Sequence, residues 1–177
     1  MDIGKSKAVI ARERLLTINP EIQVDAYYQL FTSQNAEKIA EPYDIIIDGT
    51  DNIPTRYLIN DLCVFSDKPY IYGAVYRFFG QVSVFHSSKG PCYRCLMPIP
   101  PSPESVPSCA VTGVVGFVPG IIGLMQTNEV IKNILGIGSS LIGKLLLVDA
   151  LENTFNSIEF SKDPNCLVCG SQPQVTR

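Results

Sequence analysis

The chain has 177 residues, of which 46% are hydrophobic and 18% are charged. This length and composition predict one globular domain over residues 1–177 and exclude a disordered chain, which would be poorer in apolar residues. The net charge of −3, with no run of Lys or Arg, argues against a nucleic-acid-binding surface.

No segment has the pattern of a signal peptide or of a membrane span. The first residues, MDIGK, are charged and lack an apolar core. The longest apolar stretch, residues 113–125, is too short to cross a bilayer and is interrupted by Pro119, so it is predicted to be buried. We therefore expect a cytoplasmic protein with no membrane partner, in a compartment where disulfides are rare.

The first part of the chain alternates between helical and extended patterns. Ala8 and Leu15 share one helical face, and Ile45–Ile47 is apolar on both faces, as in a parallel strand covered by helices. The predicted elements are a helix over residues 5–18, a strand over 22–28, a helix over 33–40, a strand over 45–47 and a helix from Pro54 to Ser66. This order predicts an α/β fold with a Rossmann-like, mainly parallel sheet flanked by helices.

After Pro69 the pattern changes to paired strands, which would make antiparallel additions to the sheet. The predicted elements are strands over 70–78 and 81–86 joined at Phe79–Gly80, a helix over 119–135 with a stripe of Ile121, Leu124, Met125, Ile131 and Ile134, and strands over 144–150 and 154–160. Nucleotide-binding folds of this class open on a strand and a Gly-rich turn, whereas this chain opens on a helix and has no GxGxxG or Walker A motif. Either the fold is unusual or its first βαβ unit is missing.

Two pairs of cysteines share the spacing Cys-x-x-Cys: Cys92 with Cys95, and Cys166 with Cys169. Four thiolates complete the tetrahedral shell of a structural zinc ion, and a two-residue spacer lets one turn present two sulfur atoms. The alternatives are two disulfides, four free thiols or a thioredoxin-like dithiol. The expected compartment disfavours disulfides, and neither pair follows a strand and opens a helix as a redox motif does. The pattern favours a structural zinc site.

Two further cysteines lie outside these pairs. Cys109 stands in VPSCAVTG, where an exposed thiol can act as a thiolate nucleophile or can be an ordinary, half-buried cysteine. Cys63 lies among apolar neighbours in a predicted helix and is assigned to the core.

Candidate phosphate- and cation-binding residues occur at two places. The segment DGTDN puts Asp51 at the carboxyl end of a buried strand, where open α/β sheets bind ligands and where a carboxylate could hold Mg²⁺ on a nucleotide. The alternative is a turn with Asx-type caps. Lys7, in the first helical turn, can meet a phosphate as a point charge or be a solvated surface lysine. The single histidine, His86, gives no support to Ser-His-Asp chemistry.

The order of motifs along the chain resembles the MoeB/ThiF family, the ubiquitin-activating-enzyme-like adenylyltransferases of sulfur-carrier proteins. The motifs are GKSKA, DGTDN, GQVSVF, GPCYRC, PSCA, LLLVDAL and DPNCLVCG. The resemblance implies an enzyme that uses ATP and Mg²⁺ to adenylylate the C-terminal Gly-Gly of a small ubiquitin-like carrier, for molybdopterin synthesis, thiamine synthesis or tRNA thiolation. It also implies a homodimer.

The resemblance further assigns roles to individual residues. Asp51 resembles the family's Mg²⁺/ATP aspartate, Lys7 its phosphate-contacting lysine, and Cys109 the cysteine that carries a thioester, persulfide or acyl-disulfide. The four paired cysteines match its structural zinc ligands. The family's Gly-rich loop, ribose-binding acid and Arg/Asn/Gln segment are expected to be absent from this chain, so the alternative is a truncated, inactive, zinc-stabilised module for carrier binding or dimerisation. No sulfurtransferase domain is expected after Cys169, so the sulfur donor is expected to act in trans.

Overall fold

The computed structural model describes residues 2–101 and 113–176. The chain forms two compact units, Met1–Thr32 and Ser33–Arg177. Among the described residues, no helix is both long enough and apolar enough to cross a membrane.

The first unit contains one helix, α1 (Lys7–Ile18), whose first turn is capped by the Ser6 hydroxyl. The strand predicted over residues 22–28 is wrong, because this segment pairs with no other strand in the described residues. It is held instead by Arg12, whose Nε donates a hydrogen bond to the Val24 carbonyl at 2.9 Å. An alternating pattern forms a strand only where a neighbouring strand takes up its backbone hydrogen bonds.

The second unit is a five-stranded mixed sheet with helices. Within the described residues its strands are β1 (Ile46–Ile47), β2 (Tyr70–Tyr76), β3 (Phe79–Phe85), β4 (Lys144–Asp149) and β5 (Thr154–Glu159), and its helices are α2 (Ala36–Ala40), α3 (Ile53–Ser66), α4 (Tyr93–Leu96) and α5 (Phe117–Leu135). The strands lie in chain order. Only β1 and β2 are parallel, and the other three pairs are antiparallel. The expectation of a mainly parallel sheet is therefore wrong for the described strands.

Two of the three antiparallel pairs follow from short connections, whereas β3 and β4 are joined by the long segment 86–143. Arg77 and Phe78 alone join β2 to β3, which places the turn before the predicted junction at Phe79–Gly80. Residues 150–153 join β4 to β5. Connections this short return the chain alongside itself, whereas α3 provides the crossover that a parallel pair needs between β1 and β2.

Helix α5 packs on β2 and β3 through a different face from the one predicted. Its buried residues are Val118, Ile122, Gln126 and Glu129. Of the predicted stripe, Leu124, Ile131 and Ile134 are 74%, 47% and 67% exposed, whereas Ile121 and Met125 pack at the edge of the core. Because the helix is apolar on more than one side, periodicity alone does not identify the face that contacts the sheet.

The side chain of Gln126 fills the space beside Gly73 on β2. Its Nε2 donates hydrogen bonds to the carbonyls of Asp48 at 2.8 Å and Ile71 at 3.1 Å. A Cβ atom at Gly73 would lie closer than 3.0 Å to the amide group of Gln126. The absence of a side chain at residue 73 therefore allows α5 to hydrogen-bond to the sheet at this point.

Gly73→Ala is expected to lower the free energy of unfolding by about 1–3 kcal/mol, because the Gln126 amide must move away from both carbonyls. Urea denaturation of the variant and the parent measures this difference. Gly120→Ala in α5 is the control: its Cβ would meet no atom within 4 Å, so neutral or increased stability is expected. Unchanged stability of Gly73→Ala would contradict the prediction.

Candidate functional site

The four paired cysteines meet in one cluster. Cys92 precedes α4 and Cys95 lies on it, whereas Cys166 and Cys169 lie in turns that follow β5. Their four sulfur atoms all lie within 4.8 Å of one another. The close pairs are Cys95–Cys169 at 3.4 Å, Cys92–Cys166 at 3.6 Å and Cys92–Cys95 at 3.9 Å.

These distances fit a tetrahedral metal site. Four sulfur atoms placed 2.3 Å from a central zinc ion lie about 3.8 Å from one another, within the observed 3.4–3.9 Å of the close pairs. Disulfide sulfur atoms would be about 2.05 Å apart, and all four cysteines are free thiols. The cluster can hold a metal ion such as zinc.

The thiols of the cluster shift one another's pKa values. The hydrogen bond between Cys92 and Cys95 lowers the pKa of the Cys95 thiol to about 5 and raises the pKa of Cys92. Burial raises the pKa of Cys169 to about 12. Binding of a metal ion by all four sulfur atoms would therefore have to displace the protons of Cys92 and Cys169.

Helix α4 is fastened to α3 beside this cluster. The Tyr57 hydroxyl of α3 donates a hydrogen bond to the Met97 carbonyl at 2.6 Å. Arg94 of α4 donates two hydrogen bonds to the Asp61 carboxylate, at 2.8 and 2.7 Å, and its guanidinium lies 4.6 Å from the centre of the Tyr57 ring. These contacts connect the cysteine cluster to the helix that begins at DGTDN.

The segment DGTDN forms a turn between β1 and α3 that is organised by Asp48, which is 1% exposed. Asp48 accepts hydrogen bonds from the Thr50 N–H at 2.7 Å and from the Tyr70 hydroxyl at 2.8 Å. Arg56 donates from Nη2 to the Thr50 carbonyl at 2.8 Å, and its Nε lies 3.5 Å from the Asp48 carboxylate. Asn52 caps α3 with its side-chain oxygen. The Asx-type turn is therefore correct for Asp48 and Asn52.

Asp51 is in a different situation from its two polar neighbours. It is exposed, and within residues 2–101 and 113–176 its carboxylate makes no hydrogen bond or ion pair. It lies after the carboxyl end of β1 and immediately before the N-cap of α3. Its carboxylate is therefore available to a cation or to a polar ligand at this edge of the sheet.

The other residues discussed in the sequence analysis lie at different places in the chain. Lys7 is exposed and is the first residue of α1, in the first unit. Cys109 lies outside the described residues. Cys63 is 4% exposed, which confirms its assignment to the core, and burial raises its pKa to about 12. His86 is buried, with Nε2 at 3.3 Å from a carboxylate oxygen of Asp67.

Arg56 and Gln126 contribute to the turn but were not identified from the sequence. Arg56 had a usable signal, because it lies one helical turn after the N-cap Asn52. Gln126 had only a weak signal, as a polar residue on the helix face that carries Val118 and Ile122. No sequence pattern connects it with Asp48, 78 positions earlier.

Comparison with known proteins identifies the family. Residues 1–168 match the ThiF family. The chain therefore belongs to the ThiF family, as the order of its motifs predicted.

Two relatives have sequences close to this chain. One is the sulfur carrier protein adenylyltransferase of Thermus thermophilus, 49% identical over 177 residues that cover 97% of this chain and 65% of the relative. Another is the adenylyltransferase and sulfurtransferase MOCS3 of Drosophila yakuba, 46% identical over 174 residues that cover 98% of this chain and 38% of the relative. The chain thus spans less than two thirds of the length of either protein.

Solved structures show the same fold. The chain superposes on E. coli MccB with a TM-score of 0.79 at 19% identity, covering 99% of this chain and 53% of MccB. For MccB with ATP the TM-score is 0.76 at 21% identity, covering 96% of this chain and 52% of MccB. At these identities the likeness concerns the fold alone.

Proposed function

We propose that this chain takes part in the ATP-dependent adenylylation of the C-terminal Gly-Gly of a small ubiquitin-like sulfur-carrier protein. The observation that carries the proposal is the exposed Asp51 carboxylate, which makes no hydrogen bond or ion pair with the described residues and lies beyond the carboxyl end of β1, the edge at which open α/β sheets bind ligands. The 49% identity with a protein named sulfur carrier protein adenylyltransferase supports it.

In this reaction an oxygen of the carrier's terminal carboxylate forms a bond to the α-phosphorus of ATP. The bond from that phosphorus to the bridging oxygen breaks, and pyrophosphate leaves with the electron pair. Mg²⁺ supplies charge neutralisation for such a displacement, and Asp51 is the residue proposed to hold it. Lys7 is proposed to contact a phosphate as a point charge. The attacking carboxylate is already ionised, so no general base is needed.

The cysteine cluster is proposed to be a structural zinc site. Four protein sulfur atoms leave no open position for a substrate, which is typical of structural rather than catalytic zinc. In this role the cluster joins α4 to the turns that hold Cys166 and Cys169.

Cys109 is proposed to carry the covalent sulfur or acyl intermediate that follows adenylylation. The sulfur donor is proposed to act in trans. The protein is proposed to be a cytoplasmic homodimer. The resemblance of PSCA to the corresponding family motif supports this role. Mass spectrometry of the active protein with its carrier would detect an adduct on Cys109, and its absence during sulfur transfer would contradict the role.

A second candidate function is that of an inactive module that binds the carrier or forms a dimer. It is favoured by the sequence, because the 177 residues contain neither GxGxxG nor Walker A. A Gly-rich loop at a helix N-terminus is the usual binding site for nucleotide phosphates.

ATP–pyrophosphate exchange distinguishes the two candidates. Labelled pyrophosphate is expected to enter ATP only when a carrier with an intact Gly-Gly terminus is present, because exchange requires reversible acyl-adenylate formation. The assay uses the 177-residue chain and the complete product of its gene, with a carrier that lacks the final glycine as the control. Carrier binding without exchange in both samples would reject adenylylation and select the module.

A further inference from the structure

We infer that Arg56 and Gln126 are positioning residues that fix the turn carrying Asp51, so that its carboxylate is held in place for a divalent cation. This inference rests on the proposed function of Asp51. It adds the separate claim that two side chains, one from α3 and one from α5, hold residues 48–51 from both ends.

Arg56 holds the end of the turn next to Asp51. Its Nη2 donates to the Thr50 carbonyl at 2.8 Å, and this carbonyl belongs to the peptide group that contains the Asp51 nitrogen. Its Nε lies 3.5 Å from the Asp48 carboxylate, which in turn accepts the Thr50 N–H at 2.7 Å. One guanidinium therefore constrains both peptide groups that precede the Asp51 side chain.

Gln126 holds the other end of the turn. Its Nε2 donates to the Asp48 carbonyl and to the Ile71 carbonyl, and thereby joins the end of β1 to β2. Gln126 is 8% exposed, and its amide lies so close to Gly73 that a Cβ atom at residue 73 would be less than 3.0 Å from it. Because Nε2 donates two hydrogen bonds and the amide is buried, the Gln126 side chain has a single orientation. This orientation fixes the position of the Asp48 carbonyl.

Arg56 is largely buried, whereas Asp51 is exposed, and this difference indicates different roles for the two residues. The Arg56 side chain is 12% exposed, the Asp48 side chain is 0% exposed, and the guanidinium lies 5.4 Å from the centre of the Tyr72 ring. Arg56 and Asp48 are occupied with each other and with the turn, whereas Asp51 is exposed. Arg56 and Gln126 therefore act on a bound cation through Asp51, not by contact. Displacement of a ligand by about 1 Å is sufficient to impair such a site.

Arg56→Lys and Gln126→Met test whether these two side chains fix the turn at residues 48–51, an arrangement called here the clamp. The first readout does not depend on activity. Lysine keeps the charge beside Asp48 but lacks the fork that reaches Thr50 as well, and methionine keeps the volume of Gln126 but lacks its donors. Hydrogen–deuterium exchange of the peptide covering residues 48–53 is expected to be about tenfold faster in each variant. Arg94→Lys, which loses a comparable bidentate pair with Asp61 away from the turn, is the matched control and should leave this peptide unchanged.

The Mg²⁺ requirement of ATP–pyrophosphate exchange tests the link to Asp51. The concentration for half-maximal exchange is expected to rise about tenfold in Arg56→Lys and Gln126→Met, with a smaller change in kcat and no shift in Arg94→Lys. Unchanged deuterium exchange at residues 48–53 would overturn the clamp, and an unchanged Mg²⁺ requirement despite faster deuterium exchange would overturn its connection to the cation. An absence of exchange activity in the parent protein would reject the proposed function instead, and deuterium exchange would still decide whether the two side chains fix the turn.

Discussion

Asp51→Asn is expected to reduce ATP–pyrophosphate exchange about 1,000-fold, equivalent to roughly 4 kcal/mol of transition-state stabilisation. Asparagine keeps the shape of the side chain but removes the negative charge proposed to hold Mg²⁺. Because Asp51 is exposed and makes no hydrogen bond or ion pair in the part of the chain that the structure describes, the melting temperature should change little. Initial rates at saturating ATP and carrier, together with thermal unfolding, measure both effects.

The matched control is Asp44→Asn. Asp44 is also exposed and lies before β1, at the end of the strand opposite to Asp51, so the same loss of charge occurs away from the proposed site. Exchange activity within about twofold of the parent is expected for this variant. Equal losses in both variants would indicate a general effect of net charge and would remove Asp51 from the proposed site.

Cys166→Ser is expected to abolish binding of the proposed metal ion and to lower the free energy of unfolding by about 3–5 kcal/mol, similar to the loss of a native crosslink. Cys166 is 4% exposed, and its sulfur lies 3.6 Å from that of Cys92. A serine hydroxyl does not form the short thiolate bond that zinc prefers in structural sites. Elemental analysis of the purified protein and chemical denaturation measure the two losses.

Cys63→Ala is the control for this substitution. Cys63 is equally buried, but it lies outside the cluster of four sulfur atoms. The variant should keep its full metal content and lose only about 1 kcal/mol from the small cavity. A parent protein that contains no metal after purification under reducing conditions, or a Cys166→Ser variant as stable as Cys63→Ala, would contradict a structural zinc site.

The cysteine cluster was predictable because its chemistry is local. A spacing of two residues already determines that Cys92 and Cys95 lie in one turn, and the same holds for Cys166 and Cys169. Only the proximity of the two turns depends on the fold. Four cysteines in two such pairs most often bind one metal ion, so their proximity was expected. The Asp51 turn was predictable for a similar reason, since DGTDN combines a strand end and a helix cap in five consecutive residues.

The sheet was less predictable because strand pairing depends on partners. Residues 22–28 have the alternation of a strand but have no partner strand in the described chain, and Arg12 bonds to their backbone instead. The run Ile45–Ile47 is apolar on both faces, yet β1 has only two residues and Ile47 is 54% exposed. The apolar pattern of a segment shows which side chains it can bury. Whether the segment joins a sheet depends on the neighbouring strands and helices that pair with it and cover it.

The roles of Arg56 and Gln126 could not be predicted from the sequence. Each is an ordinary polar residue in a helix, and its role depends on a carbonyl group that every residue possesses. Backbone acceptors leave no signature in a sequence, so the partner of a buried amide becomes known only when the packing of α5 on the sheet is known.

The spacing of the sulfur ligands also has a consequence for synthesis. Cys169 follows Cys95 by 74 positions. At ordinary translation rates of about 5–20 residues per second, the first two thiols leave the ribosome roughly 4–15 s before the last one. During that interval the nascent chain exposes half of a chelate that can capture another metal or be oxidised. For a cluster that binds a metal ion as proposed, metal supply and redox state at the moment of translation would therefore set the fraction of chains that mature correctly, and later addition of the metal would rescue only those whose thiols had stayed reduced.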